Sequence, residues 1–100
     1  MKFRDFVDSK GRVDQKKIEQ LSEVQRAALV QLGVIWSHLD TYNGMKRKVE
    51  WYRRELQKHG SWAEHRLLKE MDRDIKALEA RIDEFKREFD RLEQVLQSTG

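Results

Sequence analysis

Apolar residues in the second half of the chain follow one another at alternating steps of three and four positions, from Leu68 to Leu96. This spacing puts them on a single stripe of an α-helix, and charged residues fill most of the positions between them. The stripe consists of Leu68, Met71, Ile75, Leu78, Ile82, Phe85, Phe89, Leu92 and Leu96. The pattern predicts a long amphipathic helix that buries its apolar side against another helix.

The first half of the chain predicts a partner helix. Ser22-Glu23-Val24-Gln25 matches the capping box that begins many helices, so we place the helix start there. Its apolar positions are Val24, Ala28, Leu32, Ile35, Leu39, Tyr42, Met45, Val49, Tyr52 and Leu56. In this stripe Met45 and Tyr52 replace the positions that Lys46 and Arg53 hold in the strict pattern. Asn43-Gly44 weakens this helix, because glycine costs about 1 kcal/mol relative to alanine and Asn-Gly often ends a helix. Since residues 23–58 and 62–97 are equally long, we predict one continuous helix with a local bend at 43–44.

A turn between the two long helices is predicted at His59-Gly60. Glycine there ends the first helix, and Ser61-Trp62-Ala63-Glu64 is a second capping box. A turn at this point makes the helices antiparallel, and facing residues then have numbers that add to about 120. This rule pairs Ile35 with Phe85, Ala28 with Leu92, Val24 with Leu96, Tyr42 with Leu78, and Val49 with Met71. The sequence therefore predicts an all-α fold, an antiparallel coiled-coil helical hairpin.

The N-terminal segment differs in character from the helices. Phe3, Phe6 and Val7 precede the turn-like string Asp8-Ser9-Lys10-Gly11, which indicates a short hairpin or a packed arm, with a frayed terminus as the alternative. Asp14 is placed to cap a short helix that runs through Leu21. We therefore expect a single domain, 1–100. It comprises an arm and short helix at 1–21, a first long helix at 22–59 with its bend at 43–44, and a second long helix at 61–98.

The segment 27–36 is apolar around most of the helix circumference. One partner helix covers one stripe, so the remaining apolar residues need a second cover. That cover is either the N-terminal arm or another protein chain, and the arm has too few large apolar residues to cover them all. We therefore predict a self-associating protein interface, with a dimeric bundle as one form of assembly. Its residues are Leu29, Val30, Val34 and Trp36 on the first long helix, and Phe85, Phe89, Leu92 and Val95 on the second.

A basic run with interleaved aromatic residues extends from Lys46 to Lys58. Such combinations hold nucleic-acid backbones and stack on bases. The candidate residues are Lys46, Arg47, Lys48, Trp51, Arg53, Arg54 and Lys58. The alternative is a solvated face whose cations pair with acidic residues of the facing helix, such as Glu64, Glu70, Asp72 and Asp74. A net charge of only +3 favours this alternative, because it provides no broad basic field to attract phosphates.

The sequence contains no motif for catalysis, a cofactor or a metal ion. Cysteine is absent, the glycines are isolated, and His38, His59 and His65 lack the spacing of metal ligands. Acidic residues of the second helix alternate with basic ones as in a solvated face. We therefore expect no enzyme and no cofactor.

Composition and patterning together predict a non-enzymatic protein–protein interaction module: a scaffold, adaptor or inhibitor that binds a protein partner, including itself. Nucleic-acid binding through the basic run is the alternative function. Residues 1–12 are too polar for a signal peptide, and no apolar run approaches a membrane span. With cysteine absent as well, we expect a soluble cytoplasmic protein without membrane or small-molecule partners.

Overall fold

The computed structural model describes residues 2–58 and 65–98 and shows three α-helices within them. A one-turn 3-10 helix, Phe3–Asp5, is followed by α1 (Gln15–Glu19), α2 (Glu23–Lys58) and α3 (His65–Gln97). The two long helices pack against each other as an all-α helical hairpin, which confirms the predicted fold class. The predicted turn and the second capping box lie outside the described residues.

The beginning of α2 has the predicted capping box. The backbone N–H of Ser22 donates to Oε1 of Gln25 at 3.0 Å, and the N–H of Gln25 donates to Oγ of Ser22 at 3.2 Å. Two of the N–H groups that the first turn leaves without helical partners are thereby satisfied. The helix then runs through Asn43-Gly44 to Lys58, which confirms that this pair does not end it.

The N-terminal arm is an ordered loop that precedes α1. Val7 and Val13 form an isolated antiparallel bridge, and between them Gly11 has a φ of +80°, where a side chain would be strained. Oδ1 of Asp8 accepts hydrogen bonds from the N–H groups of Lys10 and Arg12 at 2.9 and 2.8 Å. The predicted hairpin is therefore present in minimal form.

The short helix α1 is capped as the sequence predicts. The side chain of Asp14 accepts a hydrogen bond from the N–H of Lys17 at 3.3 Å. The helix ends at Glu19, before the predicted end at Leu21, because Gln20 and Leu21 form a turn back onto Lys17 and Ile18. Leu21 is nevertheless buried, so the turn delivers it to the core.

The chain divides into two compact units. The arm unit comprises residues 1–37 and 86–100, and the central unit comprises residues 38–85. The arm unit holds one apolar core that joins the arm to both long helices. The buried members of this core are Phe3, Phe6, Leu21, Ala28, Leu29, Leu32, Leu92 and Leu96. The arm is therefore part of the fold in this unit, since it supplies both buried aromatic side chains of this core.

In the central unit, the seam of α2 keeps its strict spacing and places two cations between the helices. Nζ of Lys46 lies 3.3 Å from Oε1 of Glu79, and Nε of Arg53 lies 2.5 Å from Oδ1 of Asp72. Met45 and Tyr52 are 46% and 55% exposed. The prediction that they replace Lys46 and Arg53 in the seam is therefore wrong. Acidic residues on α3 neutralise the two cations, so the seam has no need of apolar substitutes there.

The register in the central unit also differs from the prediction. In both ion pairs, Lys46 with Glu79 and Arg53 with Asp72, the residue numbers add to 125, whereas a turn at Gly60 predicts about 120. The Tyr42 ring accordingly lies against Phe85, with ring centroids 5.3 Å apart. The two cross-helix ion pairs favour this register, because a shift along the seam would separate each cation from its carboxylate.

Candidate interaction surfaces

An apolar groove lies in the arm unit between the arm and the outer side of α2. Its lining residues are Phe3, Val7, Gly11, Val13, Ile18, Leu29, Val30, Gly33, Trp36 and Ser37. The groove has a volume of about 450 Å³ and is lined almost entirely by apolar atoms. We call it the arm groove. Open apolar depressions of this size suit the side chains of a second protein segment.

Several side chains at the arm groove remain exposed although they are apolar. Val30 is 69% exposed, Val34 beside the groove 53%, Trp36 47% and Val13 45%. By contrast, Leu29 is only 7% exposed, because the arm packs over it. The arm thus covers Leu29 and packs against one side of Trp36 through Phe3, and it leaves Val30, Val34 and about half of Trp36 available to another chain.

Phe3 fixes the wall of the arm groove nearest to Trp36. Its ring centroid lies 6.4 Å from that of Trp36 and 5.7 Å from that of Phe89, with an edge-on arrangement to Phe89. The backbone N–H of Phe3 donates to Oε2 of Glu93 at 2.9 Å. Aromatic packing and this hydrogen bond therefore hold the arm against α3 and set the position of the indole.

Gly33 lies in the arm groove on α2. Beyond the neighbouring backbone of α2, a Cβ at this position would meet no atom of the described residues within 4 Å, so no packing contact among them requires glycine. Glycine in a helix interior costs about 1 kcal/mol relative to alanine. The sequence interpretation passed over Gly33 and Val13 as groove residues. Gly33 could have been found from its position inside the apolar segment 27–36. Val13 reaches the groove through its bridge to Val7, which no local pattern in the sequence indicates.

The predicted interface residues of α3 contribute to the chain's own packing. Leu92 is 3% exposed, and Phe89 and Val95 pack against the core of the arm unit. In the central unit, Phe85 stacks on His38 with ring centroids 5.3 Å apart. The Arg81 guanidinium carbon lies 4.9 Å from the Phe85 ring centroid. We therefore correct the prediction for these four residues: they have neighbours within the chain and leave little surface for a partner.

The basic run on α2 separates into paired and unpaired cations. Lys46 and Arg53 pair with α3 as described, and Nζ of Lys58 lies 3.0 Å from Oε1 of Glu55. Three exposed cations of the run, Arg47, Lys48 and Arg54, have no ion pair within the described residues. Trp51 lies between them in the sequence and is 51% exposed. We call this set the basic–aromatic face; it consists of Arg47, Lys48, Trp51 and Arg54. The Trp51 ring lies edge-on to Tyr52, with centroids 5.0 Å apart.

Ion pairs account for the shifted pKa values in the described residues. Arg53 lowers the pKa of Asp72 by hydrogen bonding, and Arg91 does the same to Glu88. Glu84, and after it Tyr42, raises the pKa of Arg81 through hydrogen bonds that favour the charged guanidinium. The Arg81–Glu84 and Arg91–Glu88 pairs are solvated, whereas the Arg53–Asp72 pair is partly buried between the helices.

Across residues 2–58 and 65–98, His, Asp and Glu side chains nowhere gather in a group of three or more that could hold a metal ion. No helix in this part of the chain is long and apolar enough to cross a membrane. The arm groove and the basic–aromatic face are the candidate interaction surfaces.

Comparison of the chain with protein-family models, curated protein sequences and solved structures gives no match. A function can therefore be inferred only from the surfaces themselves. The arm groove and the basic–aromatic face differ in chemistry, since one is apolar and the other cationic.

Proposed function

We propose that the protein is a non-enzymatic protein-interaction module that self-associates through the arm groove. The observation that carries the proposal is the exposure of Val30, Val34 and Trp36 beside an apolar depression. Contiguous exposed apolar surface on a small protein marks an interaction site. Scaffold, adaptor and inhibitor roles all use such a surface and need neither cofactor nor metal ion.

A second copy of the chain suits the arm groove because the surface is self-complementary. Val30 and Trp36 lie three positions before and after Gly33 on α2, so the three residues share one face. If two α2 helices cross antiparallel at Gly33, Val30 of each protomer faces Trp36 of the partner subunit. A two-fold axis repeats this contact, as in other isologous dimers. Gly33 allows the two backbones to approach closely at the crossing point.

The apolar surface available at this crossing supports a dimer of modest stability. Full burial of a large apolar side chain contributes roughly 1.5 to 3 kcal/mol. Val30, Val34 and Trp36 are about half exposed, so about half of that is gained by each when a partner covers it. Each protomer contributes three such residues, and their sum offsets an association cost at the lower end of roughly 4 to 15 kcal/mol.

Sedimentation velocity tests this proposal with a matched pair of variants. Val30→Asp introduces a charge at a residue that lines the arm groove and is 69% exposed, and we expect it to shift the dimer to monomer while helicity by circular dichroism stays unchanged. Val24→Asp makes the same change at a residue of α2 that is 63% exposed and does not line the groove, and it should leave the dimer intact. A wild-type monomer at high concentration would refute self-association. Equal dissociation by both variants would refute the groove as its site.

A further inference from the structure

We propose that the basic–aromatic face of α2 binds single-stranded nucleic acid. This surface is separate in chemistry from the arm groove and adds a ligand class to the proposed protein-interaction role. Its four residues combine three cations that can contact phosphates with an indole on which a base can stack. Single-strand binding proteins use both kinds of contact together.

The charges of the face are available because the other cations of the run are neutralised elsewhere. Asp72 and Glu79 on α3 pair with Arg53 and Lys46, and Glu55 pairs with Lys58. Residues 46–58 contain six basic and two acidic side chains. The excess therefore concentrates on Arg47, Lys48 and Arg54, none of which has an ion pair within the described residues. Exposed cations that have no ion-pair partner among the described residues can contact an anion.

Helical geometry places the three main contacts in a row. Arg47, Trp51 and Arg54 occupy positions i, i+4 and i+7 of α2 and therefore share one face. Arg47 and Arg54 lie about 10 Å apart along the helix axis at 1.5 Å per residue. At that separation, the two guanidiniums can contact different phosphates of one strand while a base between them stacks on Trp51.

The exposure of Trp51 distinguishes a single strand from other anionic partners. An acidic polypeptide matches the charge but provides no row of flat rings for the indole. A duplex provides phosphates but keeps the faces of its bases stacked inside. In a single strand, phosphates and accessible base faces alternate along the chain, as cations and the indole do here.

Fluorescence anisotropy of a fluorescein-labelled oligothymidylate, titrated with the full chain at several salt concentrations up to about 0.2 M, tests the proposal. Each phosphate contact on a single strand contributes about 0.7 to the slope of log K against log salt, so three cations predict a slope near 2 in magnitude. Arg47→Glu with Arg54→Glu should weaken binding at least about tenfold and lower the slope by about 1.4. Trp51→Ala should weaken binding about fivefold or more and leave the slope unchanged, and Trp51→Phe should restore most of the affinity.

The matched control is Lys69→Glu with Arg73→Glu, which makes the same charge change at exposed positions of α3. This variant should retain most of the wild-type affinity. Equal loss in both double variants would show attraction by net charge alone and overturn the proposal. It would equally be overturned by unchanged affinity in Trp51→Ala, by equal affinity for a duplex of the same length, or by displacement of the oligonucleotide by polyglutamate at equal charge concentration.

Discussion

The side-chain amide of Gln25 donates a hydrogen bond of 2.9 Å to the carbonyl oxygen of Leu96. The same Nε2 donates to the carbonyl oxygen of Ser98 at 2.7 Å, while Oε1 closes the capping box with Ser22. One side chain thus satisfies an N–H at the start of α2 and carbonyl groups at the end of α3 that lack helical partners. It joins the two helices by polar contacts beside the apolar core of the arm unit.

We expect Gln25→Ala to destabilise the protein more than Ser22→Ala does. Loss of the Ser22 cap costs about 1 kcal/mol. Gln25→Ala removes its side of the capping box together with the hydrogen bonds to the carbonyls of Leu96 and Ser98, each worth about 0.5 to 1.5 kcal/mol, so we expect a loss of roughly 2 to 3 kcal/mol. The free energy of unfolding in urea measures both. Equal losses would show that the contacts to Leu96 and Ser98 contribute nothing in solution.

Two helical glycines form a matched pair for testing the two-fold crossing at Gly33. Gly33→Ala and Gly44→Ala each add a methyl group that, beyond the neighbouring helix backbone, meets no atom of the described residues within 4 Å. Both should therefore raise the free energy of unfolding of the protomer by about 1 kcal/mol. Only Gly33→Ala should weaken self-association, because its methyl group lies where the two helices cross. Thermal unfolding at low concentration measures the first effect and sedimentation the second. A tight Gly33→Ala dimer would contradict a crossing at this residue.

Stability should fall in acid partly through Asp72. Arg53 lowers the pKa of this carboxyl below its usual 3.8 in the folded protein, so the folded state binds the proton more weakly than the unfolded state does. The stability that the pair contributes is therefore present above about pH 4 and is lost as the pH falls through the lowered pKa. We expect the difference in unfolding free energy between about pH 6 and about pH 3 to be smaller in Asp72→Asn than in wild type.

The control for this pH dependence is Asp74→Asn, at an exposed position two residues further along α3. Asp74→Asn should show the same difference in unfolding free energy between the two pH values as wild type. The Glu88–Arg91 pair also lowers a carboxyl pKa, but it is present in every variant and cancels from the comparison. If Asp72→Asn and Asp74→Asn have the same pH dependence, the Arg53–Asp72 pair does not persist in solution.

Phe6 should contribute more to stability than any exposed residue of the arm. Its side chain is 2% exposed in the core of the arm unit, and truncation of such a residue costs about 3 to 5 kcal/mol. Val13→Ala is the control, because Val13 is 45% exposed and should lose about 0.5 kcal/mol or less. Thermal melts followed by circular dichroism compare the two. A Phe6→Ala variant as stable as Val13→Ala would mean that the arm does not pack in solution.

Local signals in the sequence predicted most of the fold. Apolar spacing defined the two long helices, and the Ser22 capping box marked where α2 begins, because both depend on residues a few positions apart. Asp14 likewise marked the start of α1. These features depend on interactions between residues within about one helical turn, so they can be recognised in a single sequence.

Features that depend on distant residues were harder to predict. Lys46 and Arg53 looked like interruptions of the apolar seam of α2. Their carboxylate partners lie on α3, and the apolar pattern alone does not show which acidic residue pairs with which cation. The register depends on the connection between the helices, which local rules placed at Gly60. Val13 entered the candidate surface only through its bridge to Val7, and the burial of Leu29 and Leu92 depends on how the arm folds.

The uneven distribution of buried apolar residues has a consequence for how the molecule fluctuates. Of the buried apolar side chains in the described residues, Ile82 belongs to the central unit and all the others to the arm unit. Amide hydrogens in helices exchange with solvent when a segment opens, and segments with few buried contacts open at lower free energy. Backbone amides of α2 and α3 in the central unit should therefore exchange faster than those around Leu32 and Leu92. Exchange measured residue by residue would then divide each long helix into a slowly and a rapidly exchanging part.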